Sequence, residues 1–331
     1  MRISNSQINL FRSCPRKWTH KYILKTPVEQ VENNAFFYGK LFHRILELLC
    51  IDIKDSKEIQ SFTSFETYYN KALKETEKEY PTLYISVINE EKEGNFFFKS
   101  KMKFHYNSFT TFLRENKSLK ILATEHVVET STCKLVIDLV AELKGKFYIF
   151  DFKTTANPRS KSTTKERLHF DGQLQLYALF RDMISENLKI DLAFGGIGYI
   201  EFYKPKNKWL KSLDKIDVKD RFSHFVDYLH ENNSTEESLY STIVKKDDLD
   251  FTEFHKNFII SYEEMVLLKD KAEKGEFFGV QNTGSCMIFN QKCEFWDSCY
   301  GSFDHPQTSG NLEKVLNPTD KEELINEFRI L

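Results

Sequence analysis

The sequence predicts an α/β protein with an α-β-β-β-α-β core, extra helices around that core and a C-terminal cysteine-rich segment. Apolar residues recur with helical spacing up to about residue 116, then with the two-residue period of strands, and again with helical spacing from about residue 166. We find no internal repeat and no linker that divides the chain. This order of elements is typical of a sheet covered by helices.

The composition is that of a folded globular protein. Of the 331 residues, 40% are apolar and 29% are charged, which excludes wholesale disorder. The formal net charge of −2 neither supports nor excludes a nucleic-acid partner, because phosphate contacts depend on local patches. No apolar run reaches the roughly 18 residues of a membrane span, and the first residues lack a signal-peptide core. We therefore expect a cytoplasmic protein, whose six cysteines are thiols or metal ligands.

The helical part opens with a capping signal. Ser4 and Gln7 have the spacing of a capping box, and Pro15 predicts the end of this helix and the start of another. A further helix with a broad apolar stripe is predicted after Gly39. The stretch 60–116 is expected to be mostly helical, the polar segment 154–165 to be a loop, and later helices to occupy 166–186, 216–232, 251–274 and the residues after Pro318.

The central block predicts strands. Alternating and apolar runs indicate three of them over 121–130, 134–141 and 146–153, and a fourth through 197–201. Lys144 and Gly145 separate the second strand from the third, and this pair is suited to a tight hairpin turn.

That turn determines which residues face each other across the hairpin. Counting outward from it, Asp138 lies directly opposite Asp151, which brings their Cβ atoms to about 5 Å. Lys153 follows two residues later, so the period of a strand places it on the same face. The flanking residues are apolar. We therefore expect a buried sheet that carries two acids and a lysine.

Two carboxylates buried side by side repel each other unless a cation or a proton compensates their charge. A hard divalent ion such as Mg²⁺ or Mn²⁺ does so, and Lys153 then orients or helps to deprotonate an attacking water. The alternative is an exposed hairpin on which water solvates both acids and Lys153 neutralises them. The opposed register and the apolar flanks favour the metal site.

Five motifs in chain order resemble the RecB-like exonuclease family of the PD-(D/E)XK nuclease superfamily, which includes the CRISPR-associated adaptation exonucleases. Together they span residues 3 to 299. In the metal-binding strand pair, Asp stands where many members carry Glu. The motifs are the opening ISNSQINLFRSCPRKWTHKYI, Gly39-Lys40-Leu41-Phe42-His43, the pair Val136-Ile137-Asp138 and Asp151-Phe152-Lys153, Gln173-Leu174-Gln175-Leu176-Tyr177, and the late cysteines.

The resemblance implies a restriction-endonuclease-like core and roles for residues that the pattern alone leaves open. The residue pattern alone favours a core or surface histidine at position 43, and it allows a polar outer face for the stripe His169, Gln173 and Tyr177. The resemblance assigns no role to His169. It implies metal ligation by His43, Asp138, Asp151 and the carbonyl of Phe152, catalysis by Lys153, and support of substrate or lysine by Gln173 and Tyr177.

The cysteines divide into two groups. In the resembled family one early and three late cysteines hold a [4Fe–4S] cluster that joins the ends of the domain, which implies Cys14, Cys286, Cys293 and Cys299 here. The six-residue gap after Cys286 differs from the family's C-x-x-C. Four thiolates also suit Zn²⁺, and four buried or free thiols are the further alternative. Cys50 and Cys133 are expected in the core.

Three basic clusters lie among aromatic residues, as is typical of phosphate contact combined with base stacking. The first is placed nearest the nuclease site by the resemblance. The clusters are Arg12, Arg16 and Lys17 near Trp18; Lys99, Lys101 and Lys103 near Phe98 and Phe104; and Lys204, Lys206 and Lys208 near Tyr203 and Trp209.

These observations predict a metal-dependent DNA nuclease, an exonuclease on single strands or duplex ends in recombination, repair or phage DNA processing. A helicase or recombination protein is the expected partner, and no membrane is involved. We expect a nuclease domain over 1–301 and a tail with a helix over 302–331. The alternatives are a catalytically silent DNA-binding subunit and a zinc-stabilised interaction protein; the intact acid–acid–lysine set argues against the first.

Overall fold

A computed structural model describes residues 2–28, 32–56, 64–155, 161–205, 208–233, 238–288 and 291–300. The described residues fall into two compact units. One is drawn from within 31–254, and the other from within 1–30 together with 255–331. The expected tail over 302–331 and its helix after Pro318 lie outside the described residues. The proposed domain boundary stays a prediction.

The unit within 31–254 is built around a five-stranded mixed sheet, which confirms the predicted fold class. Its strands lie in chain order. The first three are antiparallel neighbours, β4 runs parallel to β3, and β5 is antiparallel to β4. The strands are β1 (Leu119–Glu129), β2 (Lys134–Leu143), β3 (Lys146–Thr155), β4 (Ala193–Tyr203) and β5 (Leu239–Lys245).

Helices precede the sheet, connect β3 to β4 and follow β4. The parallel pair requires a long crossover, and three short helices provide it. The helices are α3 (Asn34–Ser56), α4 (Phe65–Thr76), α5 (Pro81–Lys92), α6 (Phe97–Glu115), α7 (Lys161–Phe170), α8 (Gly172–Leu179), α9 (Arg181–Leu188) and α10 (Val218–Asn232).

Aromatic rings join α3 and α6 to one face of the sheet. Phe42 of α3 contacts Phe202 of β4 edge-on, with ring centroids 4.8 Å apart. Phe109 of α6 contacts Phe152 of β3 in the same manner at 5.6 Å. All four side chains are at most 2% exposed, so each buries an area that stabilises the fold by roughly 2–3 kcal/mol. This packing fixes α3 against β4 and α6 against β3.

The hairpin between β2 and β3 forms as predicted. Lys144 and Gly145 have φ angles of 51° and 73°, the left-handed values that a type I′ turn requires at both positions. Leu143 pairs with Lys146, and the pairing continues without a shift to Leu139 and Phe150.

Three elements differ from the sequence prediction. The helix expected after Gly39 begins at Asn34 and so contains the glycine. The helix expected over 166–186 is broken into α7, α8 and α9, and α7 takes up part of the expected loop. β5 was not predicted, because Ser241 and Thr242 interrupt its apolar residues and leave neither a continuous apolar run nor strict alternation.

The other unit contains α1 (Asn5–Ser13), α2 (Pro15–Trp18), most of α11 (Phe251–Glu273) and α12 (Trp296–Tyr300). Ser4 caps α1 by accepting from the Gln7 backbone N–H, as the capping signal predicts. A small hairpin of β6 (Met287–Ile288) and β7 (Gln291–Lys292) lies between the late cysteines. Within the part of the chain that is described, no helix combines the length and the apolar character that crossing a membrane requires.

Candidate active site

The two hairpin acids occupy neighbouring positions on β2 and β3. The register that pairs Leu139 with Phe150 brings Asp138 opposite Asp151, as predicted. Asp138 is 7% exposed and Asp151 is 1% exposed. Leu139 and Phe150 point to the other face, into the core, so the alternation of the strands directs both carboxylates away from it.

Burial changes the acidity of this pair. It raises the pKa of Asp138, against the opposing effects of the Phe152 backbone N–H and of Lys153. It also raises the pKa of Asp151, and the neighbouring charge of Asp138 raises it further. In the protein without metal, the pair therefore holds protons more tightly than ordinary aspartates do.

His43 approaches the pair from α3. Its Nδ1 lies 3.5 Å from Oδ2 of Asp138, and the same carboxylate oxygen accepts a hydrogen bond of 2.8 Å from the backbone N–H of Phe152. Burial lowers the pKa of His43, while the charge of Asp151 opposes that effect. The imidazole is therefore neutral at pH 7, the form that binds a metal ion.

Glu125 of β1 is the residue that sequence reasoning missed. Its carboxylate and the ligand atoms of His43 and Asp138 all lie within 4.8 Å of one another. Burial and the charge of Asp138 raise the pKa of Glu125 to about 7. Its φ of 45° is uncommon for a non-glycine residue, and such backbone strain occurs often at functional sites.

A signal for Glu125 was present in the sequence. Glu129 pairs with Lys134 across the short connection between β1 and β2. Counting back from that pair places Glu125 opposite Asp138, by the same reasoning that placed Asp138 opposite Asp151.

Lys153 lies on the same face as the two acids, as predicted. Its Nζ is 2.6 Å from Oδ2 of Asp151 and donates a hydrogen bond of 3.3 Å to Oε1 of Gln173. Burial lowers the pKa of Lys153, but the carboxylates of Asp151, Asp171 and Asp138 outweigh it and the pKa is raised. Lys153 is therefore an ammonium ion at neutral pH.

Gln173 and Tyr177 continue this chain of hydrogen bonds along α8. The Gln173 amide donates to the Tyr177 hydroxyl over 2.7 Å, and that hydroxyl donates to the backbone carbonyl of Val136 on β2. The side chains of β3 and α8 are thus tied back to β2. Lys153 is held from two sides.

Asp171 explains why the expected helix breaks before Gln173. Its side chain caps α8 by accepting from the backbone N–H groups of Gln173 and Leu174, and its other oxygen accepts from the hydroxyl of Tyr199 on β4. His169 is therefore on a separate helix, α7, and does not share a helix face with Gln173. The cap fixes the start of α8 and therefore the position of Gln173 in its first turn.

This donor set fits a hard divalent ion. His43, Glu125 and Asp138 offer one imidazole nitrogen and two carboxylates within ligand spacing, and Asp151 adds a third carboxylate beside them. Mg²⁺ and Mn²⁺ prefer oxygen ligands and tolerate an imidazole. Burial and mutual repulsion raise the pKa of Glu125 and of Asp151, so this group of acids favours a bound cation or protons over free carboxylates.

The four cysteines singled out in the sequence all lie in the unit that contains both chain ends. Cys14 and Cys286 are buried, and Cys293 and Cys299 are half-buried. Burial raises the pKa of Cys299 to about 11, and the thiols of Cys293, Cys14 and Cys286 are near enough to raise it as well. The other three sulfurs therefore lie near that of Cys299, although no three of these described cysteine sulfurs come within 4.8 Å of one another. All six cysteines of the chain are free thiols, and Cys50 and Cys133 are buried as expected.

Several sulfur atoms also accept hydrogen bonds. The Cys14 sulfur caps α2 by accepting from the backbone N–H of Lys17 at 3.4 Å, and the Gln281 amide donates to the Cys286 sulfur at 3.9 Å. Such donors stabilise thiolates that bind a metal or a cluster.

The basic clusters differ in how far their charges are already paired. In the first, Arg12 and Arg16 donate to Ser261 and Gly279, and Lys17 lies 3.3 Å from Glu294. In the second, Lys99 lies 2.6 Å from Glu66. Lys206 of the third cluster lies outside the described residues. Lys101 and Lys204, from the second and third clusters, line one cavity.

Of two comparisons with known proteins, one bears on this site. A search of curated proteins finds no significant match. A scan of protein families matches the PD-(D/E)XK nuclease superfamily over residues 2–300, a range that includes the paired aspartates, the lysine and all four clustered cysteines. Nucleases of this superfamily generally use divalent metal ions, which the donor set fits. The chain belongs to the PD-(D/E)XK nuclease superfamily.

Proposed function

We propose that this protein is a Mg²⁺- or Mn²⁺-dependent deoxyribonuclease of the RecB-like type, which hydrolyses phosphodiester bonds at single-stranded or duplex DNA ends. One observation carries the proposal: Asp138 and Asp151 are buried side by side with His43, Glu125 and Lys153 around them. Two buried acids with a half-buried third beside them require a cation or protons to compensate their charge, and membership of a nuclease superfamily favours a metal ion.

His43, Glu125, Asp138 and Asp151 would hold the ion, with the Phe152 carbonyl as a further oxygen ligand. The neutral imidazole of His43 is ready to bind, whereas the acids must first lose their protons. The bound ion supplies Lewis acidity toward the phosphodiester and the attacking water.

Lys153 acts as a hydrogen-bond donor in this scheme. Because its pKa is raised, its ammonium group donates to a phosphate oxygen or orients the water, and it does not accept the proton of the water. Asp151 on one side and Gln173 on the other hold Nζ in place. The charge of Lys153 then offsets the negative charge that develops on the phosphate in the transition state.

Gln173 and Tyr177 position Lys153. The amide of Gln173 has a single orientation, because its nitrogen donates to Tyr177 and its oxygen accepts from Lys153. Tyr177 is itself fixed by its bond to the Val136 carbonyl. These contacts support a rigid lysine and do not require either residue to touch DNA.

Three parts of this proposal rest on the resemblance of the five motifs. They are the preference for DNA ends, a helicase or recombination partner, and a cytoplasmic location. Cys14, Cys286, Cys293 and Cys299 complete it as ligands of a [4Fe–4S] cluster. The proximity of the other three sulfurs to that of Cys299 supports a shared centre, and both chain ends contribute to it. Binding of the cluster would stabilise that unit more than it alters the chemistry.

The test uses purified protein and DNA labelled at the 5′ or the 3′ end. We expect cleavage of single-stranded or duplex DNA with Mg²⁺ or Mn²⁺ and none with chelator. Release of mononucleotides or short products from a labelled end would identify an exonuclease. A Glu125→Gln variant should need more Mg²⁺ for half-maximal cleavage, while Asp182→Asn, an exposed acid of α9, should match wild type.

DNA binding without cleavage under every metal condition would instead support the silent DNA-binding subunit. Anaerobically purified protein should be brown, with a broad visible absorbance that bleaches on reduction. Colourless protein with one equivalent of zinc would contradict the cluster assignment and leave the nuclease site unaffected.

A further inference from the structure

A cavity of about 410 Å³ lies beside the N-terminal turns of α3, away from the carboxylates. α3, α5, α6 and the residue after β4 form its walls. Its volume is within the range of about 300–1,000 Å³ that is usual for small-ligand sites. The lining combines aromatic rings with two lysines and one acid, so it is not a simple gap in the core.

Lys101 of α6 and Lys204 at the end of β4 bring two positive charges into this cavity. Each is about half-buried, and burial lowers the pKa of both. Lys204 further lowers the pKa of Lys101, to about 8. No carboxylate lies within ion-pair distance of either amine in the described part of the chain. A bound anion would supply the missing counter-charge.

Aromatic rings surround the two amines. Nζ of Lys101 lies 4.0 Å from the ring centre of Phe97, and Nζ of Lys204 lies 4.3 Å from that of Tyr38. The ring of Phe98 contacts that of Phe37 at 5.4 Å between centroids. Rings so arranged offer flat apolar surfaces on which a planar group can stack.

Hydrogen-bonding groups on the walls complete the lining. The hydroxyl of Tyr38 is buried and has no hydrogen-bond partner among the residues that the structure describes. The carboxylate of Glu90 accepts from the Ser86 hydroxyl at 3.4 Å, and the amide of Asn34 also lines the cavity. An acid and an amide can pair with the amino and ring nitrogens of a nucleobase.

We propose that this cavity binds one deoxynucleotide, with its phosphate on Lys101 and Lys204 and its base against the half-buried rings of Phe97 and Phe98. The phosphate would pair with the two ammonium groups, and the base would pack against the aromatic rings. Glu90 and Asn34, which also line the cavity, would hydrogen-bond the edge of the base. The choice of a nucleotide over other phosphorylated rings rests on the proposed function.

The nucleotide can come from two sources. It is either the end of a DNA strand that is bound elsewhere at the carboxylates, or a mononucleotide released by cleavage. Tyr38 and His43 lie five residues apart on α3, a rise of about 7.5 Å along the helix axis. The same five residues also turn about 140° around the helix. A strand end would therefore have to pass around α3 to reach the cavity, whereas a released mononucleotide can diffuse to it.

Binding of dAMP to the full-length protein, measured by calorimetry with excess chelator, tests the proposal. We expect dAMP to bind at least about tenfold more tightly than deoxyadenosine, which lacks the phosphate, or inorganic phosphate, which lacks the base. Lys101→Gln and Lys204→Gln should each weaken dAMP binding about tenfold, and Lys101→Arg should restore it.

Lys103→Gln is the matched control. Lys103 is on the same helix, is about half-buried and also lies against aromatic rings, but it does not line the cavity. Equal dAMP affinity in all lysine variants, no dAMP binding, or inorganic phosphate binding as tightly as dAMP would overturn the proposal. Melting temperatures of the variants show whether each is folded.

Oligonucleotides separate the two sources, because chelator prevents their cleavage. Displacement of dAMP by a 5′- or 3′-phosphorylated oligonucleotide, and not by its unphosphorylated form, identifies a strand end. Lack of displacement by any oligonucleotide identifies the free mononucleotide. A protein that binds dAMP through these lysines and never cuts DNA refutes the nuclease proposal alone. Cleavage with lysine-independent dAMP binding refutes the cavity alone.

Discussion

The carboxylate site and the lysine cavity each bring like-charged side chains together in the unit within 31–254, but the charges have opposite sign. Glu125, Asp138 and Asp151 lie together with the ammonium group of Lys153 beside them, while Lys101 and Lys204 lie together with no carboxylate at ion-pair distance among the residues that the structure describes. Burial raises the pKa of the acids and lowers that of the lysines. Each cluster therefore moves toward its neutral form while its ligand is absent.

The two regions differ in how firmly their side chains are held. Lys153 has a carboxylate at 2.6 Å and an amide at 3.3 Å, and that amide is tied through Tyr177 to the sheet. The amines of Lys101 and Lys204 make no ion pair or hydrogen bond among the described residues and lie over aromatic rings. A preorganised lysine suits a catalytic step, whereas lysines that still need a partner suit the binding of a ligand.

The largest expected effect separates the roles of the two clusters. Asp151→Asn should lower cleavage at least about a hundredfold, because it removes a ligand and the partner of Lys153. Without metal at pH 8, the same variant should melt no lower than wild type, since it relieves the repulsion from Asp138. Steady-state cleavage and calorimetric melting check both parts.

If the Asp151→Asn variant cleaved DNA at the wild-type rate, the active site would lie elsewhere. Lys101→Gln serves as the contrasting variant, because it removes a charge of the other cluster and leaves the metal ligands intact. It should keep the metal dependence of cleavage unchanged.

A smaller effect is expected from the residues that hold Lys153. Tyr177→Phe removes the hydroxyl that accepts from Gln173 and donates to Val136. We expect kcat to fall about tenfold, the usual effect of losing an outer-shell partner, with the Mg²⁺ concentration for half-maximal rate unchanged. A weaker affinity for Mg²⁺ at constant kcat would show that Tyr177 acts on the ligands and not on Lys153.

The sequence sufficed where a short local feature decides the geometry. The Lys144-Gly145 turn fixes the hairpin register, and with it the Asp138–Asp151 pair and the face of Lys153. It also sufficed for the fold class, because the periods of helix and strand differ. Glu125 follows from the register of the neighbouring β1–β2 pair, whose longer four-residue connection carries no turn signal as clear as Lys144-Gly145.

Other features depend on contacts that no local pattern encodes. Lys101 and Lys204 are distant in sequence and meet only because α6 packs beside the end of β4. The break before α8 arises because one Asp171 oxygen caps the helix and the other binds Tyr199 of β4. A sequence pattern gives the helical period of both segments but not the tertiary partner that interrupts it.

The opposite pKa shifts predict opposite effects of pH on stability. Burial and the charge of Asp138 raise the pKa of Asp151, so it keeps its proton in the folded protein above pH 4, where the unfolded chain has lost it; without metal the protein therefore loses stability as pH rises from about 4 through the raised pKa. Lys101, whose pKa is about 8, is deprotonated before the unfolded chain is, so stability is gained as pH rises from about 8 toward 10.5.

Melting temperatures measured with chelator at several pH values check these slopes. Over each pH interval the melting temperature should change by a few degrees, since 1 kcal/mol of unfolding free energy corresponds to roughly 2–4 °C for a domain of this size. Asp151→Asn should flatten only the acidic slope, and Lys101→Gln only the alkaline one. Parallel loss of both slopes in either variant would show that the clusters titrate together and contradict their separation.

The smallest effect concerns Gly39, which lies on α3 between Tyr38 of the cavity and His43 of the carboxylate site. The sequence motif suggests that glycine lets the backbone approach the site closely. In the structure a Cβ at this position would be 3.7 Å from Oγ1 of Thr154, an ordinary contact, and its backbone is not among those with positive φ. Gly39→Ala should therefore stabilise the protein by about 0.5–1 kcal/mol, the gain of alanine over glycine inside a helix, with cleavage and dAMP binding unchanged. Thermal melting, cleavage and calorimetry on the one variant measure all three. Loss of cleavage with a normal melting temperature and normal dAMP affinity would instead show that DNA passes directly over this turn of α3 and that the bare backbone there serves the carboxylate site alone.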